Sequence, residues 1–205
     1  IGMGKMIFGG LGGNPMPAPL IGWAICQVSW PDVMNIDATM LASELVNPLS
    51  QLKYLGLEST FRFTNMALFK GFQLGGLGSS QVLPLLLGGV YLLARKRIKF
   101  HIPLAFLAGV VGTAAIFRLV DPSLYATPLF HILSGMTIFA AFFLATDHSA
   151  SPVNRTAMFV YGLLGGVLLI ILRVWGLHPD GATWAVMLAS LFTPIIDRIQ
   201  PTPFG

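Results

Sequence analysis

The apolar residues of this chain are gathered into blocks of roughly 16 to 20 residues, the length at which a helix crosses a hydrocarbon layer about 30 Å thick. Short polar turns separate the blocks. Only 10% of the 205 residues are charged and 55% are hydrophobic, whereas about a quarter are charged in an average soluble domain. A water-facing surface cannot be built from so few charges. The pattern therefore excludes a soluble domain and predicts a polytopic integral membrane protein.

Six helical spans are predicted from these blocks, so the expected fold class is all-α, a polytopic transmembrane helical bundle. The first span is short, and Pro15, Pro17 and Pro19 lie at its start, which indicates a broken or half-span helix near the N-terminus. The approximate bounds of the six spans are 16 to 30, 79 to 94, 101 to 119, 128 to 146, 157 to 175 and 182 to 197.

The cations predict how the spans are oriented. Four of the twelve lie in the turn from Arg95 to Lys99, and a basic run between two spans is typical of a cytoplasmic loop rather than of a nucleic-acid site. Alternation of the spans then also places Arg155, Arg198 and the C-terminus in the cytoplasm. The two short turns predicted on the other side carry no lysine or arginine, which agrees with this orientation.

The chain is predicted to form a single transmembrane domain over residues 1–205. Within it, residues 31–78 form a polar insertion on the outer face, and residues 79–205 form a five-span helical bundle. The chain begins at Ile1 rather than at a methionine and runs straight into apolar sequence. We interpret this start as lacking an N-terminal portion.

Two short segments contain residues that could bind a cofactor. Four glycines precede Asn14 at the mouth of the first span, where the backbone can approach a flat group closely and the asparagine offers donors and an acceptor. No strand precedes them and no Lys-Ser/Thr pair follows, which excludes a dinucleotide or phosphate loop. Helix packing with a re-entrant turn is the alternative. The segment from Asp37 to Ser43 supplies hydroxyls beside a carboxylate, or simply begins a helix with Asp37 as N-cap.

Ionisable residues within or near the spans are costly in hydrocarbon and often functional. They are Arg118, His131, Asp147, Arg173 and Asp197. Because the two aspartates and Arg173 lie at or near span ends, we interpret them as capping or snorkelling side chains. His131 is more interior and is interpreted as a hydrogen-bonded structural residue.

The single cysteine, Cys26, lies inside the first apolar block. A disulfide or a cysteine-ligated metal site cannot be built within a chain that has one thiol. No metal site is predicted, and no nucleophile with a neighbouring base indicates a self-contained catalytic centre.

Four stretches, in order along the chain, resemble the NQR2/RnfD/RnfE-type membrane proteins, which are the D subunit of Rnf complexes and the B subunit of Nqr complexes. The Asn14-Pro15 pair, the HIPL block that begins at His101 and the SGMT block that begins at Ser134 are closer to Rnf D. The four stretches are Gly9–Leu20, His101–Leu107, His131–Asp147 and Pro179–Asp197.

This resemblance implies a subunit of a multisubunit, ion-translocating oxidoreductase in the cytoplasmic or inner membrane of a bacterium or archaeon. Such a complex passes electrons through flavin between ferredoxin- or NADH-linked partners and couples this transfer to movement of Na⁺ or H⁺. The expected partners are the other membrane and redox subunits and the lipid bilayer, without nucleic acid. The subunit is not expected to be catalytic alone.

The resemblance also implies a covalent FMN on the outer face. Aligning Asp37 with the family's attachment motif places Ser43 at the flavinylated threonine, although Met40 and Leu41 replace small and hydroxyl residues. An alignment anchored on the segment after the motif instead places Asn47 there, and asparagine cannot form the phosphoester.

A second flavin, riboflavin or another non-covalent one, is implied near Gly10, Gly12 and Asn14. Two other functions stay open. One is a flavin-less paralogue that acts as a scaffold or ion-conducting subunit. The other is a small-solute transporter, because glycine-interrupted spans also occur at transporter substrate sites.

Overall fold

The computed structural model of the chain describes residues 6, 15–35, 45–76, 78 and 80–199. The elements in this part of the chain are helices and turns, which confirms the all-helical prediction. They are α1 (Ala18–Ser29), α2 (Pro31–Met34), α3 (Pro48–Leu55), a 3-10 helix (Leu57–Arg62), α4 (Asn65–Lys70), α5 (Val82–Ala94), α6 (His101–Val120), α7 (Pro128–Leu133), α8 (Thr137–Phe139), a π-helix (Ala140–Leu144), α9 (Arg155–Trp175), α10 (Ala182–Leu191), α11 (Thr193–Ile196) and a second 3-10 helix (Asp197–Ile199).

Two of these helices are long and apolar enough to cross a membrane. Helix α6 has 20 residues and a mean hydropathy of 1.9, and α9 has 21 residues and a mean hydropathy of 2.2. They pack directly against each other along a line of glycines. A Cβ added at Gly109 would lie 2.5 Å from the carbonyl oxygen of Leu163, and one at Gly162 would lie 2.6 Å from that of Ile102. Small residues therefore let the two backbones approach closely.

Other predicted spans correspond to shorter helices. Helices α1, α5 and α10 have 12, 13 and 10 residues, fewer than the about 20 that a perpendicular crossing needs. Helix α1 begins within the proline-rich segment, with Pro19 in its first turn, and is short, as predicted, but it is continuous from Ala18 to Ser29. The six-span arrangement as a whole stays a prediction.

The predicted span from 128 to 146 is interrupted by an extended and left-handed segment. Helix α7 ends at Leu133, and α8 begins at Thr137 and passes into the π-helix. Between them, Gly135 has a φ of +63°, a left-handed conformation that favours glycine. We refer to residues 134–136 as the helix break.

The insertion predicted on the outer face packs onto the bundle. Leu49 of α3 and Leu68 of α4 are buried, and Gln73, which follows α4, is 2% exposed. The insertion therefore brings both apolar and polar side chains against the helices that follow it.

Candidate functional site at the helix break

The helix break removes backbone groups from the regular i to i−4 ladder inside an apolar part of the chain. Helix α7 begins after Thr127, whose hydroxyl accepts a hydrogen bond from the Phe130 N–H at 3.2 Å. It ends at Leu133, and Ser134 already has an extended ψ of 145°. At 1.5 Å per residue, the break lies about 9 Å from the start of the helix. Free backbone groups inside an apolar part of the chain need partners from elsewhere in the protein.

Arg173, in the last turn of α9, donates to two of the carbonyl groups at the break, which also accept from the Thr137 hydroxyl at 2.7 and 3.1 Å. Its Nη1 donates to the carbonyl oxygen of His131 at 2.7 Å, and its Nη2 donates to that of Ser134 at 3.1 Å. The same Nη2 lies 2.8 Å from the hydroxyl of Thr137 and 3.1 Å from Oδ1 of Asp180. Four oxygen atoms from the two halves of the broken helix and the loop after α9 therefore surround one guanidinium.

Asp180 balances the charge of Arg173 and joins the next two helices. Its Oδ2 accepts from the Met136 N–H at 2.6 Å, just before α8. Its Oδ1, which pairs with Arg173, also accepts from the Ala182 N–H at 3.2 Å, at the start of α10. The side chains of Arg173 and Asp180 are 2% and 20% exposed. Further hydrogen bonds to the guanidinium Nη atoms and to both carboxylate oxygens offset the cost of burying the pair.

Gln73 closes the remaining side of the break. Its Nε2 donates to the carbonyl oxygens of Leu133 at 2.8 Å and Ser80 at 2.9 Å. Its Oε1 accepts from the Gly135 N–H at 3.3 Å. One side chain from the insertion thus satisfies a carbonyl before the break and an N–H within it.

Helix α3 lies over the break and requires a glycine beneath it. A Cβ at Gly135 would collide with Oδ2 of Asp180 and would lie 2.5 Å from Cδ1 of Leu49. On the same helix, the Lys53 ammonium donates to the carbonyl oxygen of Gly176 and lies 3.4 Å from that of His178. Partial burial lowers the pKa of Lys53 below its usual value. These contacts hold the insertion against the loop that carries Asp180.

Three buried polar atoms beside the break have no hydrogen-bond partner within the described part of the chain. They are Nδ1 of His131, Oγ of Ser134 and Nε of Arg173. An unpaired buried polar atom is costly where the dielectric constant is low. The residues at the break therefore carry hydrogen-bonding atoms that the contacts within the described part of the chain do not use.

The comparisons with known proteins decide the family. The model of the NQR2, RnfD, RnfE family matches residues 1–205. The chain belongs to the NQR2, RnfD, RnfE family. This membership confirms the resemblance drawn from the four sequence stretches.

Relatives within the family are proteins named as the D subunit of an ion-translocating oxidoreductase complex. The chain is 34% identical to the one from Alcanivorax borkumensis, over 98% of this chain and 66% of that protein. It is 32% identical to those from Yersinia pseudotuberculosis and Vibrio cholerae, in each case over 98% of this chain and 68% of the relative. The chain thus spans about two thirds of the length of the relatives it matches.

The cofactor residues predicted from this family resemblance lie outside the described residues. They are Gly10, Gly12, Asn14, Asp37 and Ser43. Asn47, the alternative attachment position, is described. Its side chain caps α3 by accepting from the N–H groups of Leu49 at 3.1 Å and Ser50 at 3.4 Å, which gives this residue a structural role.

The structure changes the interpretation of Arg173 and of His131. Snorkelling is wrong for Arg173, because the residue is only 6% exposed and binds carbonyl groups of another helix. His131 contributes its backbone carbonyl to the site, while its Nδ1 lacks a partner among the described residues. Sequence reasoning did not single out Gln73 or Asp180. The available signal was the Ser134-Gly135 pair inside a predicted span, since such a pair indicates a break that distant polar groups must satisfy.

Proposed function

We propose that the chain is part of a membrane subunit of an Rnf-type ion-translocating electron-transport complex. The subunit would transfer electrons through flavin and couple that transfer to the movement of Na⁺ or H⁺ across a bacterial inner membrane. Membership of the family and the names of the relatives support this proposal. Catalysis would require the other redox and membrane subunits of the complex.

The observation that carries the ion-translocating part of the proposal is the helix break with its buried ion pair. Interrupted helices whose free carbonyl groups face charged partners occur at the ion and substrate sites of membrane transporters. Here, Gln73, Arg173 and Asp180 together satisfy the backbone groups of the break. The break is therefore the position in the described residues that best suits an ion pathway.

For the flavin part of the proposal, FMN is esterified to Ser43 with Asp37 in the recognition motif. Residues Gly10, Gly12 and Asn14 contribute to a second, non-covalent flavin site. The cap that Asn47 provides for α3 favours Ser43 over Asn47 as the attachment position, because the asparagine side chain is already bound to two backbone N–H groups. Helix α3 follows directly and contacts the break through Leu49, so it would connect the flavin segment with the proposed ion pathway.

The test begins with purification of the intact complex in mild detergent. We expect other membrane and redox subunits to copurify and the denatured subunit to fluoresce as a flavoprotein on a gel. The peptide that contains Ser43 should gain the mass of one FMN. Ser43→Ala should abolish this increment, Ser43→Thr should retain it, and Ser59→Ala on the 3-10 helix should leave it unchanged. An unmodified Ser43 peptide from an active complex would contradict covalent attachment.

One departure in the motif favours a second candidate, a flavin-less paralogue that acts as a scaffold or ion-conducting subunit. Met40 and Leu41 occupy positions where the family has small or hydroxyl residues, and their bulk would hinder the approach of the isoalloxazine ring. This candidate predicts a complex that lacks flavin on this subunit but still conducts ions. Measurement of flavin on the gel-resolved chain therefore separates the two functions.

A further inference from the structure

The oxygen atoms around Arg173 are of the kinds that bind hard metal cations. They are the backbone carbonyls of His131 and Ser134, the hydroxyl of Thr137 and the carboxylate of Asp180, at 2.7 to 3.1 Å from the guanidinium nitrogens. Unwound carbonyls at a broken membrane helix coordinate Na⁺ in transporters, and carboxylate, carbonyl and hydroxyl oxygens are hard ligands. The set that binds the guanidinium could therefore bind a small metal cation.

The charge of the cluster allows the exchange of one cation for another. Arg173 and Asp180 form a salt bridge, and their side chains are 2% and 20% exposed. If the guanidinium left, one negative charge and several carbonyl oxygens would remain without a cation in a largely buried place. One monovalent cation would restore the balance, whereas no cation would leave an uncompensated charge.

The two residues whose carbonyls bind the guanidinium also carry unpartnered side-chain atoms, which point to a ligand. The hydroxyl Oγ of Ser134 and Nδ1 of His131 are buried without a hydrogen-bond partner among the described residues, and the two residues are 0% and 4% exposed. Lone pairs on these atoms can coordinate a metal cation or accept a hydrogen bond from its water, and they accept no hydrogen bond from Arg173. The guanidinium is held through its terminal nitrogens, while its Nε has no partner in the same part of the chain.

We propose that the helix break is an oxygen-lined site for a small monovalent cation and that Arg173 occupies this site as a tethered cation. A free cation enters when the guanidinium withdraws, and the exchange of one positive charge for another leaves the net charge of the site unchanged. Use of this exchange in ion translocation rests on the function proposed above. Occupancy of the site by a free cation does not, because it follows from the local arrangement of oxygens and charge.

The test replaces the tethered cation and asks whether a free one substitutes for it. The intact complex with Arg173→Ala is extracted and heated in NaCl or in choline chloride at the same ionic strength, because choline is too large for the space left by a guanidinium. We expect NaCl to protect the variant and to have no specific effect on the wild type. For a dissociation constant of about 30 mM, Na⁺ at about 300 mM would shift the folding equilibrium about tenfold.

Three further variants control for nonspecific effects of salt. Arg173→Lys keeps a tethered cation and should show little specific response to NaCl. Arg118→Ala removes an arginine of α6 that donates to the Tyr125 carbonyl at 3.3 Å, and it should respond equally to the two salts. Adding Thr137→Val to Arg173→Ala removes one oxygen ligand and should weaken the protection by NaCl.

Equal recovery of the Arg173→Ala complex in the two salts, whether high or nil, would overturn the proposal, since a free cation would then not replace the guanidinium. Protection that survives Thr137→Val unchanged would place the cation elsewhere. Flavin content and copurification are measured independently of salt, so a failure of the proposed function is recognised separately.

Discussion

Helices α6 and α9 contact each other along a line of glycines that includes Gly109 and Gly162, which we call the seam. The seam and the helix break hold their helices together by opposite means. Along the seam, the helices are continuous and their backbone groups are satisfied internally. Contact depends on the absence of side chains at positions such as Gly109 and Gly162, whose added Cβ atoms would meet opposing backbone oxygens at 2.5 and 2.6 Å. This is packing of apolar surfaces at close range.

At the helix break, several backbone groups lack partners within the helix, and a few polar side chains supply their hydrogen bonds. Gln73, Arg173 and Asp180 come from three separate segments, and each satisfies a different part of residues 131–136. Loss of one of them leaves other groups buried and unpaired. We therefore expect a substitution in the seam to disturb only the packing around it. A substitution at the break should also remove hydrogen bonds from the other residues of the network.

The largest effect is expected for Asp180→Ala, which tests the network directly. The substitution leaves the Arg173 guanidinium buried without its counter-charge and the Met136 N–H without its acceptor. Removing one partner of a buried pair costs about 3 to 5 kcal/mol. Thermal or denaturant unfolding of the detergent-purified complex measures the loss. Asp121→Ala is the matched control, because Asp121 is half-buried and its carboxylate bonds to nearby residues in its own turn, such as Ser123; equal losses for the two variants would refute the network.

A smaller effect is expected for Gly109→Ala on the seam. The new methyl group would overlap the backbone of α9, and overpacking costs about 1 to 3 kcal/mol. Gly112→Ala on the same helix is the control, because an added Cβ there meets nothing within 4 Å. It should be neutral or stabilise the helix by about 0.5 to 1 kcal/mol. The difference between the two unfolding midpoints tests whether contact, and not helix propensity, decides the outcome.

Asn47→Ala should cost about 1 kcal/mol, since it removes the N-cap of α3 and leaves two N–H groups without their side-chain acceptor. Because α3 lies over the break, we expect faster proteolysis of the insertion and little effect on the seam. Asn47→Asp retains the acceptor and should restore resistance. A protease-resistant Asn47→Ala insertion would show that the contacts of Lys53 and Leu49 suffice to hold α3.

The position of the break relative to the two sides of the membrane is tested without a change in stability. In a Cys26→Ser background, Glu58→Cys on the exposed 3-10 helix should react with an impermeant maleimide from the outer side. Arg97→Cys should react only after permeabilisation, as the basic run predicts. The reversed pattern would place the insertion and the break near the cytoplasm.

Much of the helical framework follows from the sequence because helix formation and membrane partition depend on neighbouring residues. The apolar blocks predict α6 and α9 within one or two residues of their observed ends. The Asn47-Pro48 pair is a recognisable helix start, with a capping side chain followed by proline at the first helical position. The order of short motifs was sufficient to indicate the family.

Other features were decided only by the tertiary structure. The partners of the break lie far apart in sequence, as with Gln73 and Leu133 or Arg173 and His131. Distance from a span end suggested snorkelling for Arg173, since sequence gives the approximate depth of a side chain but not its neighbours. The flavin assignments at Ser43 and near Asn14 stay predictions from the family. The sequence by itself determined the long apolar helices α6 and α9, because the hydropathy and helix formation of such blocks are local properties. Only the fold determined how the broken helix is satisfied, because hydrogen bonds across a break depend on which distant side chains reach it.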